Sequence, residues 1–241
     1  MIMAIVGVLA GFGLDEAIAR LSREPYERAD ADEDDESPLD EESPHRLALG
    51  SEAGALAMPR ALTSASMYRR TIVVGVTALL FALAGHQYES EPLHVAIVAA
   101  YAAVLIVCTG TDLLAYRVPN VVTYPAIIAA VTIGLVMPDA NRANVLVGGA
   151  LVGGTFLLMS ILTRGGMGMG DVKLAFFTGF GLGLSFGISA LLLTAIGGGV
   201  IAVILLVTRI RDRRDPIPYA PFIAAGAMFI LLTQGAAFVE I

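Results

Sequence analysis

Gly166-Met167-Gly168-Met169-Gly170-Asp171-Val172-Lys173 opens directly onto an apolar run that continues from Val172 to Val207, and a second apolar run, Val145 to Leu162, lies just before it. A helix needs about 20 residues to cross the hydrocarbon core of a bilayer, so a run of 36 predicts two short helices broken near Gly179 to Gly187. Asp171 stands where the chain re-enters the apolar phase. An ionised carboxylate there is costly unless it meets water, a partner or a chemical task. Glycine at alternate positions (Gly166, Gly168 and Gly170) removes Cβ atoms and lets another backbone come close, for instance an extended peptide. The plain alternative is a flexible loop with a solvated carboxylate at a helix N-terminus, where negative charge is favourable in any case.

The rest of the chain fits the same apolar environment. Apolar residues make up 56% of the 241 and charged residues 15%, against about 25% charged in soluble domains. Further apolar runs cover Ile2 to Leu14, Thr71 to Gly85, Leu93 to Thr111, Val118 to Met137 and Phe222 to Val239. The expected fold is therefore all-α, a polytopic membrane protein of about eight transmembrane helices. Three regions are expected: a first helix over 1–20, an acidic and largely irregular loop over 21–69, and a membrane domain over 70–241. The loop carries prolines at 25, 38, 44 and 59 and nine acids between Asp30 and Glu42, which account for most of the net charge of −7. Ile2 to Leu14 has no basic residue before it and no small-residue cleavage site after it, so a membrane helix is expected in place of a cleaved signal peptide. The single cysteine, Cys108, excludes an internal disulfide and any multi-cysteine zinc site. His45, His86 and His94 do not cluster, so no metal site is expected, and neither a cofactor nor a nucleic-acid partner is implied.

Basic residues orient the expected helices. With the N-terminus outside, 14 of the 15 Lys and Arg residues fall on the inner side and Arg142 alone falls outside. A miscounted helix would invert every later assignment, so this bias also supports eight crossings with both termini outside. The same assignment brings two acids to the inner face. Asp112, in Cys108-Thr109-Gly110-Thr111-Asp112, ends the third run, and Asp171 follows the fifth.

Two carboxylates within a few ångströms of each other share a proton and titrate as a unit. One can then act as general base on a water and the other as general acid, with no metal required.

With these residues in place, the chain resembles the type IV prepilin peptidases, intramembrane aspartyl proteases of the GxGD class. Gly166 to Lys173 is similar to the family's second catalytic motif. Asp112 with Tyr116-Arg117-Val118-Pro119-Asn120 is similar to the first. Pro218-Tyr219-Ala220-Pro221 resembles the segment that opens the last helix, and Gly11, Arg20 and Leu21 fall in step with the first. The resemblance implies that Asp112 and Asp171 form a catalytic dyad. It implies that Gly166, Gly168, Gly170, Pro119 and Asn120 shape the approach of substrate, and that Lys173 holds a carboxylate or carbonyl. It implies as substrates the prepilins or pseudopilins of type IV pili or type II secretion, cut behind a basic leader at the cytoplasmic face of the plasma membrane.

The chain also departs from the family. Many bacterial members carry two CxxC zinc pairs in the first cytoplasmic loop and methylate the new N-terminus with S-adenosylmethionine. Here that loop has no cysteine, and Phe12, Gly13 and Asp15 replace residues usual in the bifunctional enzymes. Peptidase activity is the expectation, and methyl transfer is disfavoured. One rival reading is a cation or proton transporter with intramembrane acids. Others are a GxGD protease with non-pilin substrates, disfavoured by Pro-Tyr-Ala-Pro in place of Pro-Ala-Leu, and an idle scaffold. The acids of the loop could also concentrate basic leaders near the inner face.

Overall fold

A computed structural model describes residues 2–36, 60–88, 91–138, 140–163, 167–208, 218–236 and 239–240. Its helices are α1 (Ile2–Glu36), α2 (Arg60–Gln87), α3 (Pro92–Ala115), α4 (Asn120–Val136), α5 (Arg142–Leu162), α6 (Met169–Val207) and α7 (Ala220–Thr233). Five spans, in α1, α2, α3, α5 and α6, are long and apolar enough to cross a membrane, and α4 and α7 are shorter apolar helices. The chain is an all-α, multi-pass membrane protein.

α6 is broken where its length required. As one straight helix its 39 residues would run to about 58 Å, nearly twice a hydrocarbon core. Gly183 instead takes φ 74° and ψ −172°, and the chain folds back there. A Cβ built on Gly187 would lie 3.8 Å from the Cα of Gly179, whereas residues eight apart in a continuous helix are about 12 Å apart. The turn rests on α5: the Leu184 amide donates to Asn144 Oδ1 at 2.8 Å, and a Cβ on Gly148 would be 2.3 Å from the Gly183 carbonyl carbon. This backbone conformation is open essentially to glycine alone, so Gly183→Ala is expected to cost about 1–3 kcal/mol, read as a lower thermal unfolding midpoint in detergent.

Counting α6 as two arms, 169–182 and 184–207, the described helices give eight segments that alternate between two ends of a bundle. Asp15, Arg69, Asp112, Asn120, Ser160, Asp171 and Ala220 mark one end. Tyr88, whose hydroxyl donates to the Leu231 carbonyl at 2.6 Å, marks the other with Asn144 and Arg142. By length, five spans among the described residues qualify as crossings, fewer than the eight segments. Between the ends the core is closed by Phe81, Val98, Tyr101, Leu105, Val172, Leu174 and Phe177, with Tyr101 stacked on Phe177 at 4.5 Å.

Three boundaries differ from the sequence reading. α1 continues to Glu36 and α2 begins at Arg60, so both ends of the expected 21–69 loop are helical. Hydropathy marks where a helix leaves apolar surroundings, and a chain rich in Glu, Arg and Ala can stay helical beyond that point. The remaining part, 37–59, with His45 and the end of the acidic run, lies outside the described residues. The last apolar run does not stay helical to Val239. α7 stops at Thr233, and β1 (Gly235–Ala236) pairs antiparallel with β2 (Val239–Glu240). A short apolar run does not distinguish helix from strand, and Gly235 follows the helix C-cap, Gln234.

Candidate active site

Asp112 is placed by the last turn of α3, which ends as Tyr116 enters the left-handed region at φ 49° and closes its amide onto the Asp112 carbonyl. The carboxyl group is buried, at 6% exposure for the residue. It lies against the start of α7, where Oδ2 accepts the Ala220 amide at 3.0 Å and the Tyr219 amide also donates. The first amides of a helix have no partner within it and carry the positive end of its dipole, so α7 presents a ready-made anion site to Asp112.

Asp171 sits in the first turn of α6 and is equally buried, at 9% exposure. Gly168 caps that turn, its carbonyl accepting the Asp171 amide at 3.1 Å and the Val172 amide at 3.4 Å. The two carboxyl groups lie within electrostatic reach of each other. Asp171 Oδ1 is buried and has no hydrogen-bond partner among the described residues. A buried acceptor without a partner marks a place where a water or a substrate polar atom can bind.

The glycine segment is tied down from several sides. Ser160 on α5 donates its hydroxyl to the Met167 carbonyl at 3.1 Å. Gly170 packs against Val118, so closely that a Cβ on Gly170 would lie 2.7 Å from the Val118 Cβ. Pro119 caps α4, its carbonyl accepting the amides of Val122 and Thr123. Lys173 Nζ donates to Asn120 Oδ1 at 2.6 Å and lies 4.7 Å from the centre of the Tyr124 ring. Gly168, Gly170, Asp171, Lys173, Pro119, Asn120 and Asp112 thus gather at one end of the bundle. Gly166 lies outside the described residues.

Lys173 reaches Asn120 and the Tyr124 face, so it clamps α6 to α4. Lys173→Met is expected to lower activity about threefold to tenfold through loosened positioning, with little loss of thermal stability because the pair is exposed. Steady-state kinetics beside a melting curve separate these two effects.

Sequence reasoning did not single out Ser160 or the amides of Tyr219 and Ala220. Tyr219 packs edge-on against Phe156 and Phe222, at 6.2 and 5.7 Å. Burial, and then the nearby Asp171, push its hydroxyl above the ordinary phenol range, which keeps it a proton donor. The Pro218 to Pro221 segment was the available signal for this wall of the site, although backbone donors have no residue signature of their own. His86 and His94 fall at the opposite end, in the last turn of α2 and the first of α3.

Residues 99–203 match the type IV leader peptidase family. Over 162 residues the chain is 34% identical to a "Prepilin leader peptidase/N-methyltransferase" of Bacillus subtilis (strain 168), an alignment that covers 65% of this chain and 63% of the relative. No solved structure matches the chain. The matched segment contains Asp112, Asp171 and every described residue of the glycine segment.

Proposed function

We propose that this protein, whose residues 99–203 match the type IV leader peptidase family, removes the basic leader of a prepilin or pseudopilin, with Asp112 and Asp171 as its catalytic pair. The observation that carries the reading is the pairing of two buried carboxyls at one end of the bundle, one held by helix-terminal amides and the other with an open oxygen. Asp171 Oδ1 and the neighbouring Asp112 hold a water between them. One carboxylate takes a proton from that water as its oxygen attacks the scissile carbonyl, and the other, protonated, gives its proton to the carbonyl oxygen. The tetrahedral diol then collapses, the C–N bond breaks and the leaving amine takes up a proton. Gly168 keeps a side chain away from Asp171 Oδ2 and the path of the extended substrate, Gly170 lets the start of α6 close on Val118, and Gly166 shapes the approach on the sequence reading.

The aspartate end faces the cytoplasm in this reading, because Arg20, Arg23, Arg69, Arg70, Arg117 and Lys173 gather there while Arg142 is at the far end. Both termini then face out, eight segments cross, and the membrane is the plasma membrane. Methyl transfer is not part of the proposal. Asp15, at a position that departs from the bifunctional pattern, is engaged by Arg69 at 2.8 Å and Arg70 at 3.4 Å.

Co-expression with a candidate prepilin, followed by mass measurement of its N-terminus, tests the reading. Loss of the leader is the expected result, and an added methyl would report a transferase separately. An intact substrate together with proton or cation flux in liposomes would overturn it in favour of a transporter.

A further inference from the structure

We propose that the chain binds an anionic phospholipid, with the headgroup in an arginine cup between α1 and α2 and an acyl chain in an apolar groove that continues from the cup. The cup is a cavity of about 250 Å³ at the aspartate end, bordered by Arg20, Arg23, Arg69 and Arg70 with Asp15 and Glu16. Four guanidinium groups face two carboxylates, so an excess of two positive charges remains.

The cup is built, since Asp15 is buried and fixes two of the guanidiniums from below. Arg69 and Arg70 still expose 29% and 51% of their side chains. Glu16 holds Arg20 at 3.0 Å, and that arginine stays 76% exposed. Arginine forks suit phosphate oxygens, and basic pockets between membrane helices take lipid headgroups.

The groove identifies the ligand as an amphiphile. Arg69 borders both the cup and a second cavity of about 500 Å³, whose walls are almost wholly apolar, with Ile72, Val76 and Leu80 on α2 facing Leu105 and Leu113 on α3. From Arg69 to Leu80 the helix rises about 17 Å, roughly the depth of one leaflet. Thr109 lines this groove about one helical turn deeper than Asp112, and its hydroxyl is buried with no hydrogen-bond partner among the described residues. A glycerol ester carbonyl just below a phosphate would meet that hydroxyl. A soluble anion would use the cup and leave the groove empty, and a wholly apolar helix would use the groove and leave the arginines unanswered.

The site also touches the aspartates' support. Gly110 and Leu113 flank Asp112 on α3, and Pro221 follows the residue whose amide Asp112 accepts. A lipid seated here braces the α3–α7 contact, independently of the reaction the aspartates perform.

The test uses the full chain, delipidated in detergent and titrated with phosphatidylglycerol, phosphatidylcholine or inorganic phosphate, with bound lipid counted by native mass spectrometry. Phosphatidylglycerol is expected to bind at least tenfold more tightly than phosphatidylcholine and to raise the unfolding temperature, with millimolar phosphate failing to displace it. Arg20→Gln and Arg23→Gln should each weaken it about fivefold. Val76→Trp should weaken it by filling the groove, and an unchanged lipid-free melting curve would show that this variant is folded. Equal affinity for the two lipids, or full affinity in both arginine variants, would overturn the cup. Displacement by phosphate would reassign it to a soluble anion, and displacement by an apolar single-helix peptide would give the groove to a protein partner; either result overturns the proposal.

Discussion

Asp112→Asn and Asp171→Asn are each expected to lower leader cleavage about a thousandfold or more, to the detection limit of a mass assay on the substrate's N-terminus. Asparagine keeps the shape of the side chain and can still accept the Ala220 amide through its oxygen, so α3 and α7 stay docked. It cannot take a proton from water or deliver one to a carbonyl. Membrane insertion and the unfolding temperature should therefore survive in both variants while the chemistry is lost. Residues that act as one unit are not additive, so the double variant should be no worse than either single one. A pair that shares one proton also predicts a bell-shaped pH profile for kcat/KM in the unsubstituted protein, with both limbs belonging to the pair. Retention of a tenth of normal activity in either asparagine variant would remove the dyad from the mechanism.

Gly170→Ala is expected to cost about a hundredfold in kcat/KM although it adds one methyl group and touches neither carboxyl. The added carbon would lie 2.7 Å from Val118 Cβ and 3.0 Å from its Cγ2. Neither atom is the end of a flexible side chain, so the start of α6 has to move away from the Val118 to Asn120 segment. Asp171 is the next residue and moves with it, and a displacement of about 1 Å is enough for a loss of that size. Gly168→Ala serves as the control. Its Cβ would meet Asp171 Oδ2 at 3.3 Å, which a small adjustment relieves, so its loss should stay within about tenfold. Pairing Gly170→Ala with Val118→Gly removes the opposing carbon and should recover part of the activity. If Gly170→Ala cleaves at the normal rate, the glycine is not there for close approach.

Much of this was legible in the sequence because two signals are strong in membrane proteins. The asymmetry of Lys and Arg put Asp112 and Asp171 on one side before any contact was known. The length of the Val172 to Val207 run required a break, found at Gly183. The Lys173–Asn120 bond was not legible, nor was the ion pairing of Asp15 with Arg69 across 54 residues, since both depend on how helices distant in sequence pack. The donors to Asp112 were hidden for a different reason: every residue but proline carries an amide, and only the placement of the α7 terminus selects two of them. The extension of α1 past residue 20 escaped because hydropathy reports the surroundings of a helix and not its end.

The fold-back at Gly183 leaves the first arm of α6 with 14 residues, and α7 has the same length, so each is about 21 Å long beside a hydrocarbon layer of about 30 Å. Both begin at the aspartates. Neither forms a lipid-facing belt: every residue of the first arm from 170 to 182 is buried or half-buried, and most of α7 is buried as well. On the proposed function, the catalytic pair is thus set by two short helices enclosed in the bundle, with Asp171 on the first turn of one and Asp112 on the first amides of the other, so its geometry is fixed inside the protein.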